Sequence, residues 1–128
     1  MSTIVAASFG STVIDLRAVN NIRDVERQTG KQLLPAIFEG YIRQMEEKLQ
    51  EIAHDVRSQD SVSLYRNAHA IKSMSANIGA EKVTAISSVI ESRGKENVFS
   101  GQTEAIVALK EAYHEFLSEF KIELVKLS

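Results

Sequence analysis

The stretch Leu64-Tyr65-Arg66-Asn67-Ala68-His69-Ala70-Ile71-Lys72-Ser73-Met74-Ser75-Ala76-Asn77-Ile78-Gly79-Ala80 decides how the rest of the chain is read. A helical residue advances by roughly 100° around the axis. On that period Leu64, Ala68, Ile71, Ser75 and Ile78 share one stripe, the pattern of a helix buried on one side. Ser75 is the polar member, and its small size suits an inward position. Tyr65, His69, Lys72, Ala76 and Gly79 recur at the same three- and four-residue steps and form a second stripe bordering the first. The imidazole of His69 therefore lies at the edge of the core, beside the Lys72 ammonium and the short Ser73 hydroxyl, and those surroundings suit an anion.

The sequence on either side extends the helical reading. Asp15 is a cap for a short helix carrying Leu16, Val19, Ile22 and Val25, which Thr29-Gly30 stops. Pro35 fits only the first turn of a second helix, whose apolar stripe runs through Phe38, Tyr41, Ile42, Met45, Leu49, Ile52 and Val56. Ser58-Gln59-Asp60 breaks it, with Asp60 capping the His69 helix. Val83, Ile86, Val89 and Ile90 carry a fourth helix that leaves through Arg93-Gly94-Lys95-Glu96-Asn97. A last helix from about Thr103 carries Ile106, Leu109, Tyr113, Phe116, Leu117, Phe120 and Leu124. Nothing alternates like a strand for long. The expected fold is all-α, an up-and-down antiparallel four-helix bundle with the additional short N-terminal helix laid across one end as a lid. Residues 1–12 read as a loose arm or linker, and 13–128 as the bundle domain.

Length and composition narrow the function. A chain of 128 residues suits one domain with its own core. Its formal net charge of −2, with 15 basic residues scattered along the chain, lacks the footprint of a nucleic-acid or anionic-membrane binder. The absence of cysteine removes disulfides and thiolate metal sites and fits a reducing compartment. No apolar run is long enough to span a bilayer and Met1-Ser2-Thr3 does not begin a signal peptide, so the expected location is the cytoplasm.

The stripe of His69, Lys72, Ser73, Ser75 and Gly79 resembles the core pattern of the histidine-containing phosphotransfer (HPt) domains of multistep two-component signalling. That pattern is a histidine, a lysine three residues on, a small residue next, then a serine or alanine, and a glycine ten residues after the histidine. Ser73 stands where the family often has glycine, and its small size leaves room for a partner. Asp60, Leu64, Tyr65 and the pair Ile90-Glu91 fit the same likeness, which extends over roughly Ile14 to Leu124.

The resemblance implies a phosphocarrier. His69 would be the phosphoacceptor, taking a phosphoryl group from a receiver-domain aspartate and passing it to another. Lys72 would give electrostatic support, Ser73 would line the phosphoryl environment, and Tyr65, Ala76 and Gly79 would form the docking surface with the adjoining second helix, Gly79 also reading, this close to a helix end, as a C-terminal stop or a close-approach site. Its partners would be response-regulator receivers, with a hybrid sensor histidine kinase as a further candidate. Mg2+ is expected on the receiver, with no cofactor or metal on this domain. It would act as a monomer and not as an enzyme, although an excised domain would have a kinase as its parent chain. Two other readings stand beside this one. An inert helical adaptor would bind a receiver through the same face without taking phosphate. A di-iron bundle would use the Glu-x-x-His elements Glu51/His54 and Glu111/His114 on inward faces, but their angular positions place them away from the apolar stripes, toward water.

Overall fold

Residues 12–126 are described by a computed structural model, and they form five helices. These are α1 (Leu16–Thr29), α2 (Leu34–Ser58), α3 (Ser61–Ile78), α4 (Glu81–Lys95) and α5 (Gln102–Lys126). The arm expected over residues 1–12 lies outside the described residues apart from Thr12. α2 to α5 run up and down and are joined by short turns. The end signals act where the sequence placed them. The Asp15 carboxylate accepts from the Arg17 backbone N–H, and that of Asp60 accepts from Ser63. Gly30 and Gly79 both adopt the left-handed conformation past their helices.

The four apolar stripes converge on one core. Phe38 of α2 stacks on Phe120 of α5 with ring centroids 4.7 Å apart, and Tyr41 meets Phe116 edge-on at 5.6 Å. Leu64, Ile71, Ile86, Ile90 and Leu109 fill the middle with no exposed surface. Burial pushes the Tyr41 phenol above its ordinary pKa even though its hydroxyl shares a 2.8 Å hydrogen bond with Ser75 Oγ. That bond satisfies the polar member of the inward stripe on α3, as a buried hydroxyl requires.

α1 is the expected lid, held at three points on one end of the bundle. The Asp15 backbone N–H donates to the Gly79 carbonyl at 2.7 Å, beyond the end of α3. The Glu26 carboxylate accepts from the backbone N–H groups of Leu33 and Leu34 at 2.6 and 3.0 Å. It thereby caps α2, whose own N-cap residue Leu33 makes no side-chain cap, and its negative charge suits a helix N-terminus. The Arg23 guanidinium reaches the carbonyl of Glu123 near the end of α5 at 3.4 Å.

α3 and α4 are the most intimately packed pair, because α4 has no side chain where it meets Tyr65. A Cβ placed on Gly94 would lie 3.1 Å from the Tyr65 Cβ and 3.4 Å from its backbone. Replacing a helical glycine normally gains about 0.5–1 kcal/mol of helix stability, whereas forcing extra methyl groups into a full contact costs about 1–3 kcal/mol. The second term wins here. The Gly94→Val variant is expected to unfold at lower denaturant concentration than wild type, and a rise in the midpoint would show that the α3/α4 seam is not full.

Candidate functional site

The seam between α3 and α4 brings one carboxylate of α4 against two side chains of α3. Glu91 lies on the inward stripe of α4 with Val83, Ile86, Ser87, Ile90 and Gly94, and its side chain is 7% exposed. Its Oε2 is 2.7 Å from His69 Nδ1, and its Oε1 accepts a 2.5 Å hydrogen bond from Lys72 Nζ. The Lys95 ammonium, one turn along α4, stands 3.5 Å from Oε2 and 5.9 Å from the Tyr65 ring centroid, within cation–π range.

The pair geometry fixes the chemistry of the imidazole. An ionised carboxylate only accepts hydrogen bonds, so the proton between His69 and Glu91 belongs to Nδ1. In the neutral ring this leaves the lone pair on Nε2. The His69 side chain is 61% exposed, and with Nδ1 turned to Glu91 at the seam the Nε2 edge is directed away from it. A nucleophilic nitrogen thus points to water from a ring whose orientation is set from behind. Burial by itself would raise the Glu91 carboxyl, but the hydrogen bonds and charges of Lys72 and His69 together outweigh it and hold the group below its usual range.

The rest of the helix is fixed so that this edge stays presented. Toward α2, Asn67 Nδ2 donates to Asp55 Oδ2 at 2.9 Å, and Asn67 Oδ1 accepts from Lys48 Nζ at 3.1 Å. At its far end α3 closes with a Schellman motif, in which Gly79 N–H donates to the Ala76 carbonyl and Ala80 N–H to that of Ser75.

Most of the residues singled out from the sequence surround His69. Lys72 is beside it, Tyr65 is half-buried one turn before it, and Ser73 and Ala76 are exposed beyond it. Gly79 requires a correction. Expected on the docking surface, it is buried beneath the segment that enters α1, and a Cβ there would sit 2.6 Å from the Asp15 carbonyl oxygen and 3.2 Å from the Ala18 Cβ. Its φ of +86° also disfavours any other residue. A bulky side chain at Gly79 therefore acts on stability before it acts on docking. The Glu-x-x-His elements face outward: His54, Glu111 and His114 are exposed, while Glu51 is half-buried and pairs with Lys48.

Glu91 is the site residue whose role the sequence did not disclose. The signal was a charged residue at an inward position of an apolar stripe, which demands a buried partner, but the partners lie on another helix.

Comparison with known proteins bears on the family and the fold. The family model described as Hpt domain matches residues 36–119, from the first turn of α2 into the last turns of α5. The phosphorelay protein LuxU of Vibrio vulnificus, in strains YJ016 and CMCP6, is 24% identical over 102 residues, covering 80% of this chain and 89% of the relative. The crystal structure of histidine-containing phosphotransfer protein B from Pseudomonas aeruginosa PAO1 superposes with a TM-score of 0.80. It is 18% identical and the match covers 89% of this chain and 96% of that one, a likeness of fold.

Two stability measurements check the geometry. A carboxyl lowered on folding contributes stability above its unfolded pKa of about 4.3 and loses it as pH falls through the folded value. The gap between wild type and Glu91→Gln should therefore be widest near neutral pH and close in acid, and a gap independent of pH would mean that Glu91 is not ionised in the native state. Gly79→Ala should destabilise by about 1–3 kcal/mol, read as a lower urea midpoint, and unchanged stability would contradict the packing of Asp15 on Gly79.

Proposed function

We propose that this chain, which belongs to the Hpt domain family and is a phosphocarrier of a phosphorelay, carries its phosphoryl group on Nε2 of His69. The observation that supports this is an exposed imidazole whose other nitrogen is occupied by a buried carboxylate 2.7 Å away. Such a ring has one free lone pair, and it faces the solvent from which a partner arrives.

The proposed exchange needs little from this chain beyond aim and charge. Nε2 attacks the phosphorus of a receiver's aspartyl phosphate, forming the N–P bond as the P–O bond breaks and its electron pair stays with the aspartate. The reverse step returns the group to an aspartate of another receiver. Lys72, held beside the ring by Glu91, is placed to turn toward the developing negative charge on the phosphoryl oxygens. Tyr65, Ser73 and Ala76 border the nitrogen and form the docking face in this reading. Receiver domains are the partners, the divalent ion is theirs, and the domain works as a cytoplasmic monomer that exchanges phosphate and takes none from ATP. Among the described residues, no helix is long and apolar enough to cross a membrane.

The test is phosphate transfer from a phosphorylated receiver domain in the presence of Mg2+, followed by intact mass and acid lability. Wild type is expected to gain one acid-labile phosphate. The His69→Gln variant is expected to gain none, with an unchanged helical spectrum because the residue lies outside the core. Phosphate on the variant would move the acceptor elsewhere, and receivers that bind without transferring would indicate an adaptor.

A further inference from the structure

The contact between Glu91 and His69 has a second consequence once the ring is phosphorylated, and this step rests on His69 being the phosphoacceptor. When Nε2 takes the phosphoryl group, Nδ1 keeps its proton and the ring becomes a cationic imidazolium. If that proton stays, the ring departs in the next transfer as neutral imidazole. If it is lost to water, the ring must depart as an imidazolide anion, a far poorer leaving group. The outgoing half of the relay therefore depends on where one proton resides.

We infer that Glu91 is a positioning residue that keeps the proton on Nδ1 of phosphorylated His69, so that the phosphoryl group remains transferable throughout the neutral pH range. Its Oε2 already accepts that proton's hydrogen bond at 2.7 Å. A carboxylate opposite an imidazolium is a charge-assisted pair, roughly twice as strong as a neutral hydrogen bond. Burial at the seam makes it stronger than an exposed pair would be.

Among the described residues, the charged groups facing Glu91 besides His69 come from two helices. Lys72 comes from α3, at Oε1, and Lys95 from α4, near Oε2. Both cations stand within ion-pair distance of the carboxylate in the resting protein, and the hydrogen bonds and charges of Lys72 and His69 hold its pKa below the usual range against the effect of burial. The two lysine side chains are 33% and 58% exposed, so both ammonium groups have room to swing toward a phosphoryl group on Nε2 while Glu91 stays with the imidazolium. A phosphoryl dianion, an imidazolium, two ammonium groups and one carboxylate then sum to zero. No proton enters or leaves the ring in either direction of transfer.

The experiment compares wild type and Glu91→Gln, each phosphorylated chemically with phosphoramidate so that loading does not depend on a donor receiver, with peptide mapping used to count phosphate on His69. Each phosphoprotein is then mixed with one receiver domain and Mg2+ at pH values from about 6 to about 9. The ratio of wild-type to variant transfer rates cancels the receiver's own pH response. Glutamine preserves the shape and an acceptor oxygen but removes the charge, so this ratio is expected to rise by roughly several-fold across the range, toward the limit of about tenfold set by a shift of about one unit in the proton's affinity. A ratio that stays flat, even with a uniformly slower variant, overturns the inference, because displacement of the ring alone gives no pH dependence. A second readout needs no variant: the ring 15N resonances of phosphorylated wild type should report a protonated Nδ1 up to about pH 9, and loss of that proton near neutrality overturns the inference too. Failure of the parent reading looks different, since wild-type phosphate on His69 would then not pass to any receiver at any pH.

Discussion

A single buried carboxylate constrains both the packing and the chemistry of this domain. Moving a carboxylate out of water costs several kcal/mol unless partners replace the lost hydration. Glu91 is 7% exposed, and its partners are the two α3 side chains one turn apart, His69 and Lys72, together with Lys95 of its own helix. The helices must approach closely for that contact to form, and the bare backbone of Gly94 against Tyr65 allows it. Close approach thus brings the carboxylate to Nδ1, the carboxylate fixes the ring, and the fixed ring presents Nε2 to solvent.

The remaining contacts keep α3 from turning away from that position. Asp60 holds its start, Asn67 ties its middle to Asp55 of α2, and Gly79 closes its end while accepting the Asp15 N–H. Such anchoring matters for a carrier that meets partners briefly, because association must already offset lost rotational freedom and the ordering of interface side chains. A nucleophile aimed before the encounter adds nothing to that cost. The lid contributes in the same way, since α1 covers the end of the bundle at Gly79 and caps α2 through Glu26.

The bundle was legible because its signals are local. The apolar stripes, the caps at Asp15 and Asp60, the stop at Gly30 and the first-turn Pro35 each act within a few residues of themselves, and all five helices follow from them. His69 and Lys72 were legible because their spacing on one helix face is also local. Glu91 was not, since its role depends on which helix lies opposite and at what rotation. The docking role given to Gly79 fails for a related reason: its place on the His69 stripe is correct by angle, but the chain entering α1 comes back to cover it, while its readings as a helix stop and a close-approach site hold. Glu26 and Gly94 belong to the same class, a cap for another helix and a gap for another helix. Periodicity describes a helix singly, and these residues are defined by pairs.

In the proposed reading, the exposure of the site serves reversible transfer. Two unit charges 4 Å apart interact by about 1 kcal/mol in bulk water and about 4 kcal/mol near a protein surface, and each 1.4 kcal/mol is a factor of about ten in an equilibrium. A phosphoryl group enclosed among cations in a dry pocket would be stabilised by several such factors and released correspondingly slowly. Lys72 and Lys95 are partly solvated instead, at 33% and 58% exposure, so water limits how strongly they hold the group. The buried charge holds the proton side of the ring, and in the proposed reading the two partly solvated ammonium groups paired with it turn toward the phosphoryl group. That division favours a carrier that accepts and releases through one nitrogen without trapping its cargo.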